Sequence, residues 1–119
     1  MRGTVRIIVE GREYALEGFI DSGNTLTEPL SGKPVVLIDL RGRKKLDSFS
    51  AFSKERIAAV PFKTIGRENG YLKALRTDIL VFGKREFYGV YVAFYEGCFE
   101  DYEVLLSRDF LKGGLVENA

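Results

Sequence analysis

The residues of this sequence whose types and spacing best support chemistry are Asp21, Ser22, Gly23 and Asn24. Two aspartates that lie a few ångströms apart can share a proton, so that one activates a water molecule while the other protonates a peptide carbonyl. Gly23 has no Cβ and would let two backbones approach closely, and Ser22 has a hydroxyl that can donate a hydrogen bond within the turn. The segment is therefore a candidate catalytic turn, with Asp21 as the catalytic residue.

The same four residues are also typical of an ordinary β-turn, because each of them favours turn conformations. Taken alone, the Asp-Ser-Gly triplet favours this simpler interpretation. Its context favours the catalytic one, since an apolar segment that ends in Phe19 and Ile20 leads directly into the triplet. A second motif near the end of the chain, at residues 105–111, strengthens that interpretation.

The composition narrows the chemistry further. The 119-residue chain contains no histidine, which removes the usual general base for serine and cysteine nucleophiles and the commonest zinc ligand. Its single cysteine, Cys98, cannot form an internal disulfide, and we expect it to be a buried thiol. The formal net charge of +1 gives no indication of a nucleic-acid partner. We therefore expect carboxylate chemistry with no metal ion and no cofactor.

The elements that must position Asp21 begin with a β-hairpin. Residues 4–9 are β-branched and apolar, residues 10–13 form a turn, and residues 14–20 resume an apolar alternation. Asp21 is therefore predicted at the end of the second strand. Residues 35–40 predict a third strand, because they are a short, branched and apolar run.

Two further hairpins and a late strand complete the predicted fold. The predicted strand pairs are 60–65 with 71–75, and 78–82 with 87–94. A last strand over residues 102–106 leads into a short helix over 107–112. Seven or eight short strands with turns between them predict a single all-β domain over residues 1–119, a closed barrel with one short C-terminal helix.

Three other features are given their simpler interpretations. The basic run 41–45 is expected to be a solvated loop, although it could contact an acidic partner. Residues 47–57 predict a loop or a short helix. The aromatic residues between Phe82 and Phe99 are expected mainly in the core rather than in a substrate groove, as alternating aromatics in strands usually are.

The two motifs together resemble the retroviral-type aspartic proteases, which have a pepsin-like fold. In that family an Asp-Thr/Ser-Gly turn follows a hairpin, and a late strand runs into a Gly-Arg-Asp/Asn helix start. The resemblance implies that the active-site turn is braced by Ser107, Arg108 and Asp109. It also implies a flap that closes over an extended peptide and is formed by Thr64, Ile65, Gly66, Arg67, Glu68, Asn69, Gly70 and Tyr71.

The sequence departs from the retroviral pattern at two positions. Asn24 stands where those enzymes usually have a small apolar residue, and Ser107 replaces the glycine before Arg108. We hypothesise that a hydrogen-bonding Asn24 alters the proton affinity of the dyad. The larger Ser107 would hold two subunits slightly apart in the resting state.

A narrower resemblance is to the sporulation sigma-E factor-processing peptidases of endospore-forming bacteria. It rests on residues 18–26, 29–35, 60–62 and 65–70. It implies removal of an N-terminal pro-segment from the sigma-E precursor in the mother cell. It also implies activation by a forespore signalling protein, through an N-terminal membrane domain at the sporulation septum that this sequence lacks. The chain itself would then be a soluble fragment on the cytoplasmic side.

A count of the motif predicts the assembly. Asp21 is the only aspartate in an Asp-Ser/Thr-Gly context, since Asp47 precedes Ser48 but is followed by Phe49. One chain cannot form the dyad, so we expect a homodimer that places Asp21 against its own copy across a two-fold axis. The alternative is a non-catalytic β-barrel that serves as a peptide-binding or dimerisation module.

Overall fold

The computed structural model describes residues 1–62 and 70–116 of the chain. Its strands within these ranges are β1 (Arg2–Val9), β2 (Arg12–Ile20), β3 (Val35–Ile38), β4 (Ile57–Phe62), β5 (Gly70–Arg76), β6 (Ile79–Phe82), β7 (Arg85–Tyr88), β8 (Tyr91–Phe94), β9 (Val104–Leu106) and β10 (Leu115–Val116). The helical segments are α1 (Leu40–Arg43) and the short 3-10 helices Phe49–Ala51, Lys54–Arg56 and Arg108–Leu111.

These strands form one sheet in the order β10-β7-β6-β1-β2-β9-β3-β8-β5-β4. The predicted all-β class with a short C-terminal helix is confirmed, and that helix is the single 3-10 turn at Arg108–Leu111. Within residues 1–62 and 70–116, no helix has the length and apolar character needed to cross a membrane.

The first hairpin pairs β1 with β2 along their full length, from Val9 opposite Arg12 to Arg2 opposite Phe19. Its turn places both Glu10 and Gly11 at positive φ, 50° and 78°, as a tight two-residue hairpin turn requires. One face of β1 is fully buried through Val5, Ile7 and Val9. The hairpin is therefore a rigid base from which the end of β2 projects.

Strand β9 lies between β2 and β3, although β2 and β3 are closer to each other in the chain. It runs parallel to β2, with Ile20 opposite Leu106, and antiparallel to β3, with Leu37 opposite Leu105. Gly18 makes this arrangement possible, because a Cβ there would lie 2.5 Å from Val5 Cγ2 and 2.9 Å from Leu106 Cδ1. As a result, the residues that follow β2 and β9 begin at the same level of the sheet.

The predicted strand over residues 87–94 is wrong, because the chain changes partner within it. Gly89 adopts a φ of 70° and separates β7, which pairs with β6, from β8, which pairs with β3 and β5. Thr77 fixes the corner, since both its backbone N–H and its hydroxyl donate to the Val90 carbonyl, at 2.9 and 2.7 Å. A continuous apolar alternation gives no signal for such a corner.

Three smaller expectations also need correction. Part of the basic run is not a loop, because Asp39 caps helix α1 by accepting a bond of 2.9 Å from the Gly42 N–H. Cys98 is exposed rather than buried. The aromatic residues divide, since Phe82 lies in the core whereas Tyr95 is 46% exposed. Core burial therefore holds for most of the strand aromatics, although Tyr88 in β7 is 45% exposed, and it fails in the loop that follows β8.

Candidate active site

Asp21 follows the last residue of β2, as predicted from the sequence, and neighbouring segments hold its backbone on two sides. The Asp21 N–H donates to the Leu106 carbonyl at 2.9 Å, and the preceding Ile20 N–H donates to the Met1 carbonyl at 2.9 Å. The start of the chain and the end of β9 thus fix the point at which the candidate catalytic residue leaves the sheet.

The segment Asp21–Asn24 is a β-turn that also engages the Asp21 side chain. The Asn24 N–H donates to the Asp21 carbonyl at 3.1 Å, and the Gly23 N–H donates to the Asp21 carboxylate oxygen Oδ1 at 2.9 Å. Asp21 is half-buried, whereas Ser22 and Gly23 are exposed. The turn therefore presents a carboxylate whose orientation is fixed by its own backbone.

Asp21 has few other partners among residues 1–62 and 70–116. Within that part of the chain, no basic side chain forms an ion pair with it, and its oxygen Oδ2 accepts no hydrogen bond. The hydroxyl of Ser22 likewise bonds none of those residues. A Cβ at Gly23 would lie 3.3 Å from Asp21 Oδ1, so glycine leaves room for the carboxylate itself.

Asn24 is buried and connects the turn to the two strands beneath it. Its Nδ2 donates to the carbonyls of Val35 and Leu105, at 3.3 and 3.2 Å, and its Oδ1 accepts from the Leu26 N–H at 3.3 Å. The amide is thus fully used by the backbone of β3, β9 and the following loop. Asn24 therefore holds the turn against the backbone of the sheet.

The second motif begins beside Asp21, because Ser107 and Asp21 are the next residues after the paired Leu106 and Ile20. Ser107 is buried, and its hydroxyl donates to the Asp109 carboxylate at 3.2 Å. Arg108 and Asp109 are exposed. The buried Phe110 anchors the turn by packing against Phe87, with ring centroids 4.7 Å apart.

The flap prediction falls partly outside the described residues. Strands β4 and β5 are antiparallel up to the pair Phe62 and Gly70, so the predicted hairpin is present to that point. Gly70 and Tyr71 begin β5, and the Tyr71 side chain is 73% exposed. The remaining flap residues, Thr64 to Asn69, lie outside the described ranges.

A cleft of about 560 Å³ lies next to the base of the predicted flap. Phe62 and Tyr71 contribute to it from β4 and β5, and Phe49, Phe94 and Tyr95 contribute from the opposite side. Its lining combines these aromatic side chains with the charged residues Arg43, Lys73 and Glu96. The cleft is suited to hold side chains of an extended peptide.

The loop between β8 and β9 also reaches the site, and sequence analysis did not include it. Burial raises the pKa of Tyr102 above its ordinary value, and the negative charge of Asp21 adds to the rise. Tyr102 also stacks on Phe19, with centroids 4.9 Å apart. Sequence reasoning missed this loop because it expected the aromatic residues up to Phe99 mainly in the core and placed Tyr102 in the last strand, whereas β9 begins at Val104.

Comparison with known proteins places the chain in a family. The model of the family described as sporulation factor SpoIIGA, Peptidase_U4, matches residues 1–110. The chain is 30% identical to the sporulation sigma-E factor-processing peptidase of Priestia megaterium, over 64% of this chain and 31% of that protein.

The chain thus spans 31% of the length of that relative. No solved structure matches the chain. The family match covers both the Asp21 turn and the Ser107 motif, and it confirms the narrower of the two resemblances. The chain belongs to the SpoIIGA family of sporulation factors.

Proposed function

We propose that this chain is the protease domain of a sigma-E factor-processing aspartic endopeptidase. Its active form would be a homodimer of retroviral type, in which Asp21 of each copy contributes one carboxylate. The family match and the name of the Priestia megaterium relative support a peptidase that processes sigma-E factor. The aspartic mechanism and the dimer rest on the geometry of the Asp21 turn.

One observation carries the proposal: the Asp21 carboxylate is held at Oδ1 by the Gly23 N–H, and Oδ2 has no partner among the described residues. Such a carboxylate is oriented and available to a second acid. The chain has one Asp-Ser/Thr-Gly sequence, so a two-fold axis that passes beside Asp21 would supply the partner.

The proposed reaction needs only the two carboxyl groups and water. One Asp21 carboxylate takes a proton from water as the water oxygen bonds to the peptide carbonyl carbon, and the protonated Asp21 of the other copy gives its proton to the carbonyl oxygen. The resulting diol collapses when the Asp21 that took the water proton gives it to the amide nitrogen, the C–N bond breaks, and the other Asp21 carboxylate takes a proton from a diol hydroxyl as the carbonyl forms. The products are a carboxylic acid and an amine, and the dyad regains its shared proton.

The proposed substrate is the sigma-E precursor, from which cleavage would remove the N-terminal pro-segment. An extended peptide would lie between the Asp21 turn and the flap, residues 64–71, and would pair with flap strands by backbone hydrogen bonds. The match covers 31% of the Priestia megaterium relative. We propose that segments of the full-length protein outside this chain anchor it in the septal membrane and receive a forespore signal.

Ser107, Arg108 and Asp109 are proposed to brace the turn in the dimer. Ser107 supports this role because it is buried beside Asp21 and bonds Asp109. The exposed Arg108 would then find its partner in the assembled dimer. This role stays a prediction.

The direct test is cleavage of the sigma-E precursor by wild type, Asp21→Asn and Asp47→Asn variants. Asp47 also precedes a serine, but it pairs with Arg12 at 3.2 Å, away from the Asp21 turn. We expect cleavage to disappear in Asp21→Asn and to persist in Asp47→Asn. Retained cleavage in Asp21→Asn would exclude the aspartic mechanism. Absence of cleavage by wild type and both variants would favour a non-catalytic binding or dimerisation module.

A mixing experiment tests the shared site. If subunits exchange at random, about a ninefold excess of Asp21→Asn chains reduces wild-type activity to about one tenth, because nearly every wild-type chain then lies in a mixed dimer. The control is an Asp21→Asn chain with a further substitution that makes it monomeric, as judged by sedimentation. The same excess of this chain should leave the activity unchanged. Activity that is insensitive to both additions would contradict a dyad shared between copies.

A further inference from the structure

Four aromatic rings form a continuous stack on the surface next to the Asp21 turn. Ring centroids are 5.2 Å apart between Tyr95 and Phe99, 4.9 Å between Phe99 and Tyr102, and 4.9 Å between Tyr102 and Phe19. The rings are nearly parallel, with interplanar angles of 3°, 18° and 22°. We call this set of four residues the aromatic ladder.

The ladder connects the cleft at the flap base to the candidate catalytic residue. Tyr95, at one end, lines the cleft together with Phe62 and Tyr71. Phe19, at the other end, precedes Asp21 by two positions, and alternate residues of a strand face the same side of a sheet. A peptide that lies in the cleft and reaches Asp21 would therefore run along the ladder.

The ladder is separate from the hydrophobic core. None of its four residues belongs to either of the core clusters found in the described residues. Tyr95 is 46% exposed, and the other three side chains are half-buried. Contiguous exposed apolar surface of this kind usually marks a binding site.

A buried charged group holds the loop that carries the ladder. Asp39 is fully buried, and its Oδ2 accepts from the Phe99 N–H at 3.0 Å. Arg41 Nη2 donates to the same oxygen at 3.2 Å, to the Phe99 carbonyl at 2.7 Å and to the Tyr102 carbonyl at 2.9 Å. Because Arg41 bonds the backbone of two ladder residues, it fixes their spacing as well as their position.

One edge of the ladder is closed by charge. The Arg2 guanidinium lies 5.9 Å from the Phe19 ring centroid and 6.0 Å from that of Tyr102, and it pairs with Asp101. These contacts cover the ladder on that side with polar groups.

We propose that the aromatic ladder is a specificity-determining wall of the Asp21 site, and that Arg41 is the positioning residue that holds it. The wall receives an aromatic or large aliphatic side chain of the peptide substrate, because stacked rings offer apolar contact and ring-to-ring packing. This inference rests on the proposed protease function. The occupant is a peptide rather than a second copy, since the ladder is continuous with the cleft.

The test uses a mixed peptide library, with cleavage sites identified by mass spectrometry. Wild type is expected to enrich Phe, Tyr, Leu or Met at one fixed position relative to the scissile bond. Phe99→Ala and Tyr102→Ala should reduce that enrichment and raise KM for the best peptide about fivefold to tenfold, with kcat unchanged, as expected for lost aromatic packing.

Arg41 variants separate positioning from general stability. Arg41→Met should raise KM in the same way, and Arg41→Lys should restore part of the loss, because an ammonium group can still donate to both carbonyls. Arg12→Met is the matched control. Arg12 also lies over an aromatic ring, Phe52, at 5.2 Å and pairs with Asp47, but at the opposite end of β2. It should leave the preference unchanged.

A binding arm keeps the wall testable without turnover. Peptides captured from the same library by the Asp21→Asn variant should show the same enrichment, and adding Tyr102→Ala to that variant should remove it. Capture with enrichment but no wild-type cleavage would refute the proposed protease and support the wall. Cleavage with a preference that Phe99→Ala and Tyr102→Ala do not change would overturn the wall alone. The wall would also be overturned if Phe99→Ala or Tyr102→Ala dissociated the dimer but left the side-chain preference of the peptides unchanged.

Discussion

Strand β2 begins among paired charges and ends at a carboxylate for which the described residues supply no cation. At its first residue, Arg12 pairs with Asp47 at 3.2 Å. In the same region Arg56 pairs with both Glu10 and Asp78, each at 2.8 Å. At the other end, the Asp21 carboxylate accepts a hydrogen bond only from the Gly23 N–H among the described residues. The two ends thus use the same kind of side chain in opposite ways.

The paired end is arranged for stability. The Ser53 N–H and Arg56 hold the pKa of Glu10 below its ordinary value. Burial acts to raise the pKa of Asp78, but the Glu10 N–H and the Arg56 guanidinium together hold it below its ordinary value. Carboxylates with lowered pKa values stabilise the folded state at neutral pH. At the Asp21 end, one hydrogen bond from the Gly23 N–H instead orients a carboxylate that keeps its other oxygen available. The carboxylates at the first end of β2 therefore serve stability, and the one at the other end is proposed to serve catalysis.

The largest effect should come from exchanging one carboxylate at each end. Asp21→Asn is expected to reduce kcat/KM for precursor cleavage about 10³-fold or more, because an amide cannot transfer the proton. Its melting temperature should stay close to that of wild type. Asp78→Asn should do the reverse, since it removes a partner of Arg56 far from the site. Cleavage kinetics and thermal melts of both variants check this.

The comparison would fail if Asp21→Asn lowered the melting temperature as much as Asp78→Asn does. Asp21 would then be a structural carboxylate like those at the paired end. The Asp47→Asn variant serves as a control, because its carboxylate is about half-exposed in its pair with Arg12 and such pairs contribute little.

The next effect concerns packing rather than charge. Gly18→Ala would place a Cβ 2.5 Å from Val5 Cγ2 and 2.9 Å from Leu106 Cδ1. Overpacking of this kind costs about 1–3 kcal/mol of folding free energy. Urea denaturation would measure the loss, with Thr4→Ala, an exposed neighbour on β1, as the control. A free energy of unfolding equal to that of wild type would contradict this expectation, because β1, β2 and β9 could then shift apart to fit the methyl group without loss of stability.

The sequence predicted those elements that depend on residues close together in the chain. The hairpin of β1 and β2, the strand that begins at Val35 and the turn at Asp21 all follow from alternation, apolar runs and turn residues close together in the chain. The insertion of β9 between β2 and β3 does not. It joins Ile20 to Leu106, and no local pattern indicates which distant strand fills that position.

The candidate site divides in the same way. Asp21 was predicted from its own segment, whereas the ladder was not, because it joins Phe19 to residues more than seventy positions away. The basic run looked like a solvated loop because its sequence gives no hint that Arg41 bonds the carbonyls of Phe99 and Tyr102. The predicted third strand, residues 35–40, also extended too far, because β3 ends at Ile38 and Asp39 caps helix α1.

A smaller effect is expected from Asn24, which joins the Asp21 turn to the sheet. Asn24→Ala leaves the Val35 and Leu105 carbonyls without the donor they have now, and a lost buried hydrogen bond costs about 1–3 kcal/mol. Cleavage should slow, but the pH–rate profile should keep its shape, because the amide bonds backbone carbonyls. A shifted profile in Asn24→Ala would support the earlier hypothesis that Asn24 tunes the dyad.

The smallest effect is the acid dependence of the paired end. A carboxylate whose pKa is lowered in the folded state stabilises the fold above its ordinary pKa and loses this contribution as the pH falls through the lowered value. Because the pKa values of Glu10 and Asp78 are lowered, wild type should lose this stability below about pH 4. Arg56→Met removes one cause of both shifts, so its melting temperature should approach that of wild type as the pH falls. A constant gap between the melting temperatures of Arg56→Met and wild type would mean that packing of Arg56 outweighs its charge.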